Sequence, residues 1–237
     1  YFKITDKKMV SIVRNIVTSC FPGNSKNLGD AAYIVRHAIS NVRYLKNSKN
    51  GTFKFGIDRD EVSIGSCNGI NYVYFLGSDL NTGDIDKIVE TFQEWYSNFQ
   101  VYIKKSPKYF DSFCIELLSS LPKTHKTNKT VFVGYSRGSF TMSAFTKYVR
   151  PCAAIYLAPP GDYLDARETV GKTFLFAHSL DPVYILSLKR PVRATRKKVF
   201  RGTMGMTQTD FIKQIHTNYV PWLKQIEKKT NPEDFCN

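Results

Sequence analysis

Long apolar runs are missing from this chain: nothing approaches the roughly 20 consecutive apolar residues that a membrane-crossing helix needs, so a transmembrane helix is not expected. The opening residues, Tyr1-Phe2-Lys3-Ile4-Thr5-Asp6, lack the apolar block of a signal peptide. They also begin without methionine, the start expected of a chain from which an upstream segment has been removed. A soluble chain, or one peripheral to a membrane, is the expectation. Cysteine is sparse and odd in number: Cys20, Cys67, Cys114, Cys152 and Cys236 show neither metal-ligand pairing nor a redox Cys-x-x-Cys. They read as buried small hydrophobes, and no disulfide is indicated. Internal repeats and low-complexity tracts are absent too.

Acidic residues are in the minority, 20 against 34 basic ones, for a net charge of +14. Such a surface attracts polyanions, whether nucleic acid, anionic membrane or an acidic partner, and charge alone does not choose among them. The densest basic stretch, residues 189–201, holds seven basic residues and no acidic one. A solvated loop and a binding patch both fit it.

What is present points to one globular domain over residues 1–237, since 42% hydrophobic and 14% aromatic residues supply a substantial core. Apolar residues at helical spacing predict helices over 7–20, over 30–45 with Asp30 as its cap, and over 107–121. His37 falls in the second of these, as a surface or partly buried residue. Residues 53–57 and 62–65 alternate as strands of a sheet edge or hairpin, turning around Cys67-Asn68-Gly69-Ile70. Residues 71–76 read as a central strand, ending in Gly77-Ser78-Asp79. An amphipathic helix is expected over 84–99. It fits either a helix packed on the core or a mobile lid whose apolar face meets lipid. A short apolar segment follows at 101–103. His125 lies in the basic loop 122–129, before the next strand and so remote from that strand's far end. Further apolar strands at 153–158 and 172–177 complete a strand-and-helix rhythm, which argues for a mainly parallel sheet with helices on its faces, the α/β class.

The chemistry centres on residues 130–139, where a β-branched and aromatic run stops in Gly134-Tyr135-Ser136-Arg137-Gly138. A nucleophilic serine on such a sheet sits on a sharp strand-to-helix turn, where neighbours two places away collide unless they lack side chains. A small-residue helix over 139–148 follows. An activated serine needs a base, and the base needs an acid to hold its tautomer. In the order Ser, acid, His, the base must follow Ser136, leaving His178 and His216. His216 with Asp181, placed at a strand's carboxyl end before Pro182, is the favoured pair. His178 with Asp162 or Asp165 is the competitor.

Phe75-Leu76-Gly77-Ser78, the Ser136 pentapeptide with Ser139, Tyr156-Leu157-Ala158-Pro159-Pro160-Gly161, Ser179-Leu180-Asp181-Pro182-Val183, and His216 with Tyr219 come in the order of landmarks in the class 3 (fungal-type) lipases, which residues 50–225 resemble. The chain looks like a divergent member. That family usually has Gly-His-Ser-Leu-Gly-Gly at the elbow, and Tyr135, Arg137 and Ser139 depart from it. Leu76 likewise replaces an arginine common before the family's oxyanion loop.

The resemblance implies an α/β-hydrolase fold, and a serine esterase with Ser136 as nucleophile, His216 as base and Asp181 as its orienting acid. It further implies oxyanion donors at the backbone N–H of Arg137 and at Ser78, a lid over 80–99, and no metal or organic cofactor. The expected partners are a lipid ester substrate and an anionic membrane met peripherally, with no nucleic acid. Triacylglycerol and phospholipid fit equally well. The rival reading is an inactive hydrolase fold kept as a binding module for anionic membrane or nucleic acid, motivated by the charge and by the departures at Leu76, Tyr135 and Arg137.

Overall fold

A computed structural model of the chain describes residues 25–45, 52–55, 60–77, 107–161, 170–187 and 192–228. The readings of residues 7–20, 84–99 and 101–103, together with Ser78, Asp162 and Asp165, fall outside the described residues. Seven described strands form one sheet in sequence order: β1 (Thr52–Phe55), β2 (Asp60–Cys67), β3 (Ile70–Phe75), β4 (Thr130–Tyr135), β5 (Ala153–Leu157), β6 (Thr173–His178) and β7 (Arg196–Phe200). β1, β2 and β3 pair antiparallel. From β3 to β7 every pairing is parallel. The β2–β3 connection is a two-residue turn in which Asn68 and Gly69 both have positive φ, 49° and 80°. That is the type I′ geometry, whose twist matches a hairpin, and Asn-Gly is its preferred pair.

Helices cover both faces, so the protein is α/β, with a central, mostly parallel sheet between helical layers. Side chains alternate along β3 to β6, and both sets are almost entirely buried, as a covered parallel sheet requires. Tyr72, Tyr74, Val131, Val133, Ile155, Phe174 and Phe176 pack with α1 (Ser25–Leu45), α5 (Gln208–Gln214) and α6 (Val220–Ile226). Val73, Phe75, Phe132, Tyr156 and Leu175 pack with α2 (Pro107–Ser120), α3 (Gly138–Phe145) and α4 (Pro182–Ser187). Each of the large apolar side chains so buried contributes roughly 1.5–3 kcal/mol.

Three observations depart from the sequence reading. α1 starts at Ser25, so Asp30 lies inside the helix and is buried, not at its cap. Gly29 inside the helix lets the end of α6 and the residues after it come close: a Cβ there would lie 2.9 Å from the Lys228 Cβ and 3.0 Å from the Ile226 carbonyl oxygen. Of the basic stretch, for which a solvated loop was one of two readings, residues 196–200 form a strand, β7, whose Val199 packs on the α2–α3 side and whose Phe200 is buried on the other. Among the cysteines, Cys67 and Cys114 are buried outside any disulfide, as expected, but Cys152 is disulfide-bonded, with its partner outside the described residues.

Because β3 to β7 run parallel, their carboxyl ends share one edge of the sheet, where ligands of open α/β sheets gather. Ser136 follows β4 and Asp181 follows β6 on that edge. His125 is at the opposite edge, in the 3₁₀ turn Lys123–His125 before β4, with its Nε2 3.2 Å from the Gly65 carbonyl.

Candidate active site

β4 is buried along almost its whole length and stops at Tyr135. The next residue, Ser136, turns the chain with φ at +50°, a left-handed conformation that a serine rarely adopts. The turn holds because its flanks permit contacts that no side chain could share. A Cβ at Gly134 would lie 2.7 Å from the Ser139 Cα, and one at Gly138 would lie 2.2 Å from the Phe75 carbonyl oxygen and 2.6 Å from that of Leu76. The strain is fixed by the Ser136 N–H, which donates to the Leu157 carbonyl at 2.9 Å, and by the Ser139 N–H, which donates to the Ser136 carbonyl at 3.0 Å. Inside α3, the Ser139 hydroxyl donates back to the Gly134 carbonyl at 3.0 Å and so ties strand to helix. Local chain geometry thus delivers the Ser136 side chain to the carboxyl edge.

The other two predicted residues meet it there. His216 Nε2 is 3.0 Å from Ser136 Oγ, and His216 Nδ1 is 3.0 Å from each oxygen of Asp181. All three side chains are buried. Asp181 precedes Pro182 at the start of α4 and accepts the Val183 N–H through Oδ1 at 2.9 Å, a helix-capping bond. Its Oδ2 accepts the Tyr219 hydroxyl at 2.6 Å. A carboxylate with no solvent exposure is costly unless hydrogen-bonded, and this one has donors from a backbone amide, a phenol and an imidazole.

His178 belongs to the scaffold. Its Nδ1 accepts the Leu180 N–H at 3.1 Å, and its Nε2–H donates to the Gly202 carbonyl at 3.0 Å. The backbone N–H of His178 donates to the Tyr219 hydroxyl at 2.9 Å. The ring lies 5.2 Å from Phe211 and 4.7 Å from Trp222, centroid to centroid. Burial holds its pKa below the ordinary histidine value, opposed by the Gly202 carbonyl and the Asp181 charge. Both ring nitrogens are committed in the neutral tautomer, so the pairing that competed with His216 and Asp181 is not the one assembled.

Two positions were not assigned a role from the sequence. Tyr135, one of the departures at the elbow, stacks on His216 with centroids 5.4 Å apart and planes 23° apart, and its hydroxyl donates to the His216 carbonyl. Tyr219 bridges Asp181 and the His178 amide. Burial raises both phenols well above the usual range, with the nearby Asp181 charge adding to it, so both remain donors. The only signal for Tyr219 was its place three residues after His216, and Tyr135 gave none.

Arg137 follows Ser136 directly and is the N-cap of α3. The end of β3 passes close by, since a Cβ at Gly77 would be 3.0 Å from the Ser136 Cβ. Ser78, the next residue, lies outside the described residues. Among the described residues, no group of three or more His, Cys, Asp or Glu is placed to hold a metal. Compared with protein-family models, curated proteins and solved structures, the chain gives no match.

Proposed function

We propose that this chain is a serine carboxylester hydrolase acting on lipid acyl esters. One observation carries the reading: an unbroken hydrogen-bonded series from Ser136 through His216 to Asp181, starting from a serine held at positive φ between a strand and a helix. In the reaction, His216 Nε2 takes the Ser136 hydroxyl proton as Oγ attacks the ester carbonyl. Asp181 holds the Nδ1–H and balances the imidazolium charge. The tetrahedral oxyanion is received by the Arg137 N–H and by Ser78. It collapses with departure of the alcohol, which takes the proton from His216, and water then repeats the cycle on the acyl-enzyme. The lipid part of the reading rests on the order of landmarks shared with the class 3 lipases. An anionic surface suits the net charge of +14, and phospholipid and triacylglycerol substrates are both accommodated.

A fluorophosphonate probe tests the chemistry. Wild-type protein is expected to be labelled, and Ser136→Ala and His216→Ala are expected to lose labelling. Ester hydrolysis by Ser136→Ala should fall by up to about a millionfold. A folded wild-type protein that takes no label would refute the proposal and leave the binding-module reading.

A further inference from the structure

Four large apolar side chains stand exposed among the described residues: Ile115, Leu180, Ile185 and Met204. Three of them follow the carboxyl ends of two adjacent strands. Leu180, 59% exposed, lies in the turn between β6 and Asp181, and Ile185, 46% exposed, is on α4 just beyond. Met204, 38% exposed, lies in the loop after β7. The two loops are joined, because the His178 ring donates to the Gly202 carbonyl and the Ser179 N–H donates to the Phe200 carbonyl at 3.1 Å.

Met204 is also strained. Thr203 to Met206 form a tight turn closed by the Met206 N–H on the Thr203 carbonyl at 3.1 Å, with φ of +55° at Met204 and +75° at Gly205. That geometry suits Asn or Gly at the first central position, whereas an unbranched apolar side chain gains nothing there locally. Met206 packs against the core and anchors the turn, while Met204 projects into water. Neither backbone preference nor burial accounts for a methionine in this place.

Its surroundings are cationic. From Pro182 to Gln208 the sequence has no Asp or Glu, and Arg193, Lys197, Lys198 and Arg201 are exposed. β7 carries Lys197 and Lys198 along the edge of the described sheet toward the rim, where Arg201 opens the Met204 loop. Apolar tips on short turns beside cations suit the boundary between anionic headgroups and acyl chains. Nucleic acid would engage the cations and leave Leu180 and Met204 in water.

From this we infer that the β6–β7 rim, with Leu180, Ile185 and Met204 as apolar tips and Lys198 and Arg201 as headgroup contacts, docks the active site onto an anionic lipid surface. The lipid occupant rests on the proposed ester-hydrolase reading. Docking here would bring the bilayer to the edge that holds Ser136.

The test is sedimentation of the full chain with vesicles of phosphatidylcholine alone and of phosphatidylcholine mixed with phosphatidylglycerol. Wild type should partition onto the mixed vesicles, weakly onto the neutral ones, and less as salt is added. Met204→Asn, which suits the turn and should not unfold the protein, and Leu180→Ser should each weaken partitioning about tenfold, the change expected when one large apolar side chain no longer enters the interface. Lys198→Gln with Arg201→Gln should remove the preference for anionic vesicles. Partitioning unchanged by Met204→Asn and Leu180→Ser, or equal for both vesicle types, overturns the inference. Hydrolysis of a water-soluble short-chain ester separates the two proposals. Turnover without vesicle binding sinks the docking surface alone, and vesicle binding through these residues without turnover sinks the hydrolase alone.

Discussion

Tyr135 and Tyr219 reach the same triad from positions far apart in the chain, and their hydroxyls serve different atoms. Tyr219 donates to the acid itself, at Asp181 Oδ2, whereas Tyr135 donates to the backbone carbonyl of His216 and lays its ring along the imidazole. A hydrogen bond to a charged group is worth about 1.5–3 kcal/mol, so in the proposed reaction Tyr219→Phe should lower kcat by roughly ten- to a hundredfold. KM should change little, because the phenol is buried and bonded to Asp181 and the His178 amide. Tyr135→Phe keeps the stacked ring and should cost much less than Tyr135→Ala, which frees the imidazole to turn. Steady-state kinetics on a soluble ester, with melting temperatures measured alongside, check both. A Tyr219→Phe variant with wild-type kcat would show that the Val183 amide and the imidazole suffice to hold Asp181.

Between residues and molecule stands the contact of α3 with β3, which sets how closely Ser136 approaches the strand end across from it. Gly138 lies against the Phe75 and Leu76 carbonyls, rigid backbone on both sides. Gly138→Ala must therefore push α3 off the sheet, and overpacking of this kind typically costs about 1–3 kcal/mol or more. Calorimetry should show a lower melting temperature, and fluorophosphonate labelling should slow by more than the fraction unfolded explains, because Ser136 moves with the helix. The same scale decides what the sequence could disclose. The elbow was legible because strand, glycines and small-residue helix are contiguous and each obeys a local steric rule. The order of Ser136, Asp181 and His216 was legible because each partner had few rivals. β7 was not, since Arg196-Lys197-Lys198 shows no apolar alternation and its pairing comes from the neighbouring β6. The close approach of Lys228 to Gly29, the disulfide at Cys152, and the commitment of His178 to Gly202 and Leu180 all depend on distant segments meeting. Spacing along a chain does not encode such meetings.

At the scale of the whole molecule, burial sets how the fold answers to acid. His178, His125 and His37 are each shifted below the ordinary histidine value of 6.5, in every case chiefly by desolvation. Each is therefore held neutral more strongly in the folded chain than in the unfolded one. The unfolded state binds more protons as pH falls below 6.5, so stability is full above that value and declines as pH drops toward the lowered folded pKa values. His178 should dominate, since protonation would place a proton on Nδ1, where the Leu180 N–H already donates, within a ring cage of Phe211 and Trp222. The melting temperature is expected to be nearly flat from about pH 8 to about pH 7 and to fall steadily toward about pH 5. His178→Gln should melt lower than wild type at about pH 8, having lost the ring packing, yet show a shallower decline on acidification because one proton-linked site is gone. Calorimetry of both proteins across that range measures the two slopes. Parallel curves would mean that His178 does not carry the acid sensitivity, and a wild-type curve that rises on acidification would contradict the sign of all three shifts. Protonation of His178 would keep the Nε2–H bond to the Gly202 carbonyl but displace the Leu180 N–H from Nδ1, loosening the turn that carries both Leu180 and Asp181. Acid should therefore weaken vesicle partitioning in wild type more than in His178→Gln.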